Sequence, residues 1–169
     1  MHYLLNLFIN IFMMSTLALM VLGFLLSLIP FTELRLAIPF VLSLGLNPVL
    51  AFIACVLGNI IIIPIIFLFL DSLHHLFMKW HAYEKLFSHT LKRIWKRKEK
   101  IKMQVNRYGL LALVLFIAIP LPVTGAYSGA LIAWLLFLPR RKSILAIALG
   151  VIIAGLIVTL ITTGILAIM

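Results

Sequence analysis

Two oppositely charged side chains, Glu33 and Arg35, sit two residues apart in Pro30-Phe31-Thr32-Glu33-Leu34-Arg35-Leu36-Ala37-Ile38-Pro39, with apolar sequence on both sides. A carboxylate can carry a proton or hold a cation, and a guanidinium presents a planar fork of donors that suits phosphate or carboxylate oxygens. Inside a bilayer each charge costs roughly 2.5–3.5 kcal/mol on insertion scales, so such residues face a cavity or a partner. Pro30 and Pro39 bracket the pair, and each proline removes a backbone donor and disturbs the preceding turn. Broken backbone at membrane depth is tolerated only where protein or trapped water satisfies the freed groups. On a continuous helix, positions two apart diverge by about 200°; in a broken segment both can reach one cavity. The expected roles are proton or cation coupling for Glu33 and an anion or phosphate clamp for Arg35. The alternative is a turn near the membrane interface whose charges snorkel or pair structurally.

A second break lies at Pro120-Leu121-Pro122-Val123-Thr124-Gly125-Ala126-Tyr127-Ser128-Gly129. It carries no charge. Half-helices that end here offer free backbone N–H groups and a positive dipole end, suited to an anionic ligand. Pro120, Pro122, Thr124, Gly125, Tyr127 and Gly129 therefore join Glu33, Arg35, Pro30 and Pro39 as candidate substrate-binding or coupling residues. Gly125 and Gly129 also form a GxxxG, which by itself reads as close helix packing. Small residues recur at four-residue spacing elsewhere, at Ala51, Cys55 and Asn59 and at Ala146, Gly150 and Ala154, with the same meaning. Asn59 reads as an interhelical hydrogen-bonding residue or as the lining of a polar pathway.

No chemistry of the soluble-enzyme type is expected. HExxH, a nucleophile elbow and a glycine-rich phosphate loop are all missing from the sequence. His74, His75, His81 and His89 fit no zinc spacing and have no neighbouring cysteine, so no metal, cofactor or catalytic residue is expected. The single cysteine, Cys55, can form no intramolecular disulfide and reads as a small packing residue.

The elements that position these residues follow from composition. The chain has 169 residues, is 65% hydrophobic and carries a formal net charge of +10; that hydrophobicity belongs to a polytopic membrane protein with no second, soluble domain. The start lacks a basic region and a small-residue cleavage site, so a cleaved signal peptide is not expected. Ten of the fourteen lysines and arginines fall between Lys79 and Arg107, and Arg140-Arg141-Lys142 adds three. This clustering reads as cytoplasmic loop charge under the positive-inside rule, not as a nucleic-acid surface. Residues 73–107 interleave basic residues with apolar ones at helical spacing, giving either a basic amphipathic helix on anionic headgroups or a plain cytoplasmic loop.

Residues 3–29 form one tilted span, or an interfacial helix with a shorter limb. Gly45-Leu46-Asn47-Pro48 marks a turn, residues 49–70 a full span ending at Asp71, and residues from about 143 to 169 another. Both basic clusters on one side require an even number of crossings between them. About 31 residues are too few for two full helices of roughly 20 residues each, so a re-entrant hairpin broken near mid-membrane is expected. The first half shows the same plan. Shifted by 92 residues, Pro30 falls on Pro122, Ala54 on Ala146 and Gly58 on Gly150. The expected fold is an all-α membrane protein built as an inverted repeat of re-entrant hairpin plus transmembrane helix, residues 1–72 and 108–169, with a basic amphipathic cytoplasmic helix between the halves.

The two breaks, Glu33-Leu34-Arg35-Leu36-Ala37-Ile38-Pro39 and Pro120 to Ala130, resemble those of a bacterial family of small multi-drug export proteins, over nearly the whole chain. The layout also resembles, more distantly, the DedA (VTT-domain) superfamily. That resemblance implies paired re-entrant hairpins and movement of lipids such as a polyprenyl-phosphate carrier. Glu33 matches the acidic residue of that group's first hairpin, whereas Ala118 in Phe116-Ile117-Ala118-Ile119-Pro120 stands where its second hairpin carries arginine. Arg35 is the residue that could substitute. The expected function is a multi-pass transporter of the bacterial inner membrane, not an enzyme. It would move an amphiphilic, anionic polyprenyl-phosphate or phospholipid substrate with proton or cation coupling. Its partners would be membrane lipids, the substrate, protons or cations and a second copy of the chain, and not nucleic acid. The rivals are a cationic small multi-drug exporter, with Glu33 binding the cation, and a non-transporting assembly or lipid-organising factor acting through residues 72–107.

Overall fold

The computed structural model describes residues 2–77, 98–121 and 124–168, with side chains for 15–73, 108–121 and 124–168. These residues form α1 (His2–Ser27), α2 (Glu33–Ser43), α3 (Pro48–Phe77), α4 (Lys98–Ala118), α5 (Ala126–Leu135) and α6 (Arg140–Ile168), and no strand is found among them. Residues 3–27 thus belong to one uninterrupted helix. The expected basic helix over 73–107 lies largely outside the described residues. Residues 73–77 continue α3 and residues 98–107 open α4, so both helices run further than the boundaries at 72 and 108.

The helix ends follow from local chemistry. Pro30 has no N–H to offer Leu26, the carbonyl four residues back, so α1 stops at Ser27 and the Thr32 hydroxyl donates to the Leu26 carbonyl instead, at 2.5 Å. Asn47 caps α3: its Oδ1 accepts the Val49 N–H at 2.9 Å, and Pro48 takes the first helical position, where its missing donor costs nothing. α2 closes with Leu46 N–H donating to the Val41 carbonyl at 3.1 Å and Gly45 N–H to Leu42 at 2.9 Å, a Schellman turn with Gly45 at φ +88°. α5 closes with the same pair 92 residues later, Leu138 to Ala133 at 3.0 Å and Phe137 to Trp134 at 3.1 Å, and Phe137 takes the left-handed position at φ +52°.

An 18-residue window within Pro48–Leu73 of α3 has a mean hydropathy of 2.9, and one within the 29-residue α6 has 3.0. At 1.5 Å per residue both exceed a hydrocarbon core of about 30 Å. α2 and α5, with 11 and 10 residues, span about half of that.

α1 lies beside α2 and α3, α4 beside α5 and α6, and α2 crosses to α6 as α5 crosses to α3. Small residues set the approach. Gly23 faces the Cys55 sulfur and Val41, and Gly58 faces the Phe24 carbonyl and the Ser27 hydroxyl. Position 23 therefore pairs with 55 and 27 with 58, so α1 and α3 run in the same direction with α2 returning between them. Gly150 of α6 meets the Val114 carbonyl and Ile117 of α4 in the way that Gly58 meets α1. Ala51, Cys55 and Asn59 are fully enclosed, and Ala146, Gly150 and Ala154 are buried, as the small-residue spacing predicts. Ile38, Ile63, Ile117 and Ile147 fill the centre. The outer faces are equally apolar, with Leu57, Ile61, Leu68, Leu149, Leu156 and Leu160 exposed. Helices that are apolar all round suit lipid on one side and protein on the other.

Candidate functional site

Glu33 opens α2 in the left-handed region, at φ +42°. Outside glycine this conformation is uncommon and costs of order 1–3 kcal/mol, so surrounding contacts must hold it. Some of those contacts come from the second break. The Glu33 carboxylate, 7% exposed, lies against the Cα of Gly125, where a Cβ could not fit, and the Tyr127 backbone N–H faces it. Gly125 caps α5 without a side chain of its own, so Glu33 supplies the anion that the helix start lacks. The positive end of a half-helix favours a carboxylate there.

Arg35 does the opposite at the end of α4. Its guanidinium donates to the carbonyls of Leu121 and Thr124, and to that of Ile117 at 3.5 Å. The oxygens of Ile117 and Leu121 belong to the last turn and exit of α4, the negative end of that helix, and that of Thr124 lies just before the cap of α5. The two charges thus reach the same break by different contacts. Glu33 serves the start of α5 and Arg35 the end of α4.

The second break answers in kind. The Tyr127 hydroxyl donates to the Leu28 carbonyl in the first break. Thr124 closes its own turn, its hydroxyl donating to Ile119 at 2.8 Å and to Leu121 at 3.0 Å. Asn59 of α3, fully buried, lies behind the first break with its amide 2.9 Å from the Ser27 carbonyl and 3.0 Å from the Leu34 N–H, and in the amide orientation that satisfies both groups it donates to the first and accepts from the second. With Thr32 on Leu26, Asn59 on Ser27, Tyr127 on Leu28 and Glu33 N–H on Ile29 at 3.0 Å, four successive carbonyls freed at the end of α1 each have a donor.

The structure therefore brings Glu33, Arg35, Thr124, Gly125 and Tyr127 together. Pro30 lies exposed on the turn and Pro120 half-buried at the exit of α4. Pro122 lies outside the described residues. Gly129 packs on Ile117, the helix-packing use of the GxxxG. Pro39 is separated from the charge contacts. It lines an open groove of about 430 Å³ with Leu26, Thr32, Leu36, Ala37 and Phe40 beside the first break.

A further cluster escaped sequence reasoning. Asp71, the only aspartate in the chain, accepts from the Trp134 indole at 3.0 Å and pairs with Arg140. The end of α3, the end of α5 and the start of α6 thus stand at one level. A lone acidic residue closing an apolar run was the available signal, and its partner 69 residues away had none.

Two long apolar helices, two short helices set against the breaks, and an apolar exterior define a helical membrane protein. The chain belongs to the family described as "Putative small multi-drug export protein", whose model matches residues 33–157, well over half of the sequence. That stretch takes in the first break from Glu33 onward, the whole second break, and α2 to α5. No curated protein and no solved structure matches the chain.

Proposed function

We propose that the protein exports an amphiphilic molecule across the bacterial inner membrane, with Glu33 and Arg35 as its working pair. The observation that carries this reading is the seating of both charges of the first break on the complementary helix ends of the second. Charges in a membrane interior are costly unless paired, and here the pairing joins the two halves of the chain. A ligand or proton that competes for either charge also competes with that joint.

The halves form an inverted repeat in this proposal. The hairpin α1–α2 enters from the outer face, α4–α5 enters from the cytoplasm, and their tips meet near the midplane. The 92-residue correspondence of turns and the shared direction of α1 and α3 support it. Residues 73–107 and 140–142 are cytoplasmic, in keeping with their charge, and the former rest on anionic lipid. The protein is a transporter without covalent chemistry, works among membrane lipids, and pairs with a second copy.

The substrate is an anionic amphiphile, a polyprenyl phosphate or phospholipid, as in DedA-like transport. Its headgroup competes with the carbonyls for Arg35 while its apolar part lies along the groove at Leu36, Pro39 and Phe40. Protonation of Glu33 releases the start of α5 and couples movement to the proton gradient. A second reading has support of its own: the carbonyls of Ile117, Leu121 and Thr124 already hold a cation, the guanidinium of Arg35, and a cationic drug could take that place.

Proteoliposomes separate the two. Wild-type protein should move fluorescent phosphatidylglycerol between leaflets under a pH gradient, and Glu33→Gln should lose the gradient dependence at least tenfold while still extracting as a folded protein. Equal transport by Glu33→Gln overturns the coupling role. Failure to move the lipid, with Glu33-dependent uptake of ethidium, replaces the lipid substrate by a cationic one.

A further inference from the structure

The two breaks are held in different ways. In the first, the amide of Asn59 spans the gap from behind, joining the Ser27 carbonyl at the end of α1 to the Leu34 N–H at the start of α2. A 92-residue shift places Val151 at the matching position of α6, and a valine can make neither bond. The second break is instead held from across the molecule, by Glu33 on the start of α5 and Arg35 on the end of α4. Leu34, the residue that Asn59 grips, lies between those two.

We infer that Asn59 is the positioning residue for Glu33 and Arg35: by fixing the Leu34 amide it sets the left-handed turn at Glu33 and aims both charges at the second break. Three observations carry this. Asn59 of α3 is fully enclosed against α1 and α2, so its amide has no water to turn to, and only one orientation gives both the Ser27 carbonyl and the Leu34 N–H a partner. Glu33 takes a backbone conformation that few side chains adopt unaided, immediately before the anchored amide. Gly58, the neighbour of Asn59, has no room for a Cβ against the Phe24 carbonyl, at 2.8 Å, and α3 can approach the end of α1 closely enough for the bridge only at such a residue. α3 thus holds the first break at Ser27 and Leu34, beside the bond that Tyr127 of the second break makes to Leu28.

This inference rests on the reading of Glu33 and Arg35 as the working pair, but its test needs no substrate. Hydrogen exchange by mass spectrometry compares wild type with Asn59→Val, the residue of the other half. Three peptides are followed: one covering 28–36, one covering 125–131 with the Tyr127 amide that faces Glu33, and one covering 150–158 in α6. In Asn59→Val the first two should exchange at least tenfold faster and the third should not change. Acceleration confined to 28–36 would reduce Asn59 to a local structural bond, and equal acceleration of all three would reduce it to general stability. Either result overturns the positioning role. If Asn59→Val does not fold, the wild-type chain still decides: the Leu34 amide must exchange at least tenfold more slowly than that of the exposed Phe31, and comparable rates overturn the anchor. A lipid-transport failure with this exchange pattern intact would refute the substrate and leave the positioning role standing.

Discussion

Gly125 and Glu33 occupy the same small space, and a methyl group decides between them. A Cβ on Gly125 would fall on the Glu33 carboxylate, so Gly125→Ala should destabilise the detergent-extracted protein by about 1–3 kcal/mol, as other overpacked sites do. In the Glu33→Ala background the same substitution should cost less than half as much. Thermal unfolding of the four proteins of that cycle measures the coupling, and strict additivity would show that the two sites do not touch. Arg35 and Arg140 make a second comparison. Arg35 serves three carbonyls, of which Leu121 is exposed and keeps Thr124 as a donor; the other two, in part-buried bonds, are worth about 1–3 kcal/mol each if left unpaired, so Arg35→Gln should cost about 2–4 kcal/mol. Arg140 pairs with Asp71 where its side chain is 52% exposed, and Arg140→Gln should cost no more than about 1 kcal/mol. The same unfolding measurement ranks them, and the reverse order would contradict the burial argument.

Among the elements, the turns leaving α2 and α5 share one hydrogen-bond pattern and differ in the residue at the left-handed position. Gly45 adopts it freely, whereas Phe137 carries a side chain there that is 49% exposed and contributes little packing. A left-handed conformation costs an L-residue roughly 1–2 kcal/mol, so Phe137→Gly should raise the stability by about 1 kcal/mol, read as a higher midpoint of unfolding. A lower midpoint would mean that the exposed ring has a partner in the membrane interface. The breaks themselves show how prolines work at the scale of a helix. Pro30 ends α1 because it withdraws the donor that Leu26 needs, and Thr32 six residues on repairs the loss. Pro39, inside α2, withdraws the donor for the Arg35 carbonyl, yet the helix continues to Ser43. It can do so because α2 is packed along one whole side by Ala37, Ile38, Val41 and Leu42.

Among the described residues, the helices α1–α2 and α4–α5 and the two long apolar helices are tied together at two levels. Glu33 and Arg35 join the tips in the interior, and Asp71 with Trp134 and Arg140 joins the ends of α3, α5 and α6. That second tie makes a prediction about sidedness. In a Cys55→Ala background, cysteines at the exposed positions Ser72 and Arg141 should react with a membrane-impermeant thiol reagent from one face of the membrane. A cysteine at Asn47, before α3, should react only from the other. Ser72 and Arg141 labelling from opposite faces would require α4 and α5 to cross as one span and would end the hairpin arrangement.

By itself the sequence determined a helical membrane protein, its two long spans, both breaks and the turn before Pro48. Each of these rests on residues near one another in the chain: runs of apolar side chains, prolines that remove donors, and an asparagine–proline cap. It also singled out Glu33, Arg35, Thr124, Gly125 and Tyr127, because charge and broken backbone are conspicuous in an apolar chain. What only the tertiary structure decided is where those groups point. Spacing could place Glu33 and Arg35 in one region, but not on a break some 90 residues away, the one against Gly125 and the other on the carbonyls of Leu121 and Thr124. Nor could it match Asp71 with Arg140, or separate Pro39 from the charge contacts and give it to an apolar groove. The physical reason is that in an apolar interior every freed N–H and C=O must find a partner, and the partner is chosen by which helices come within reach. Reach depends on Gly23, Gly58 and Gly150 letting helices close up, and that outcome belongs to the packed molecule rather than to any local stretch of sequence.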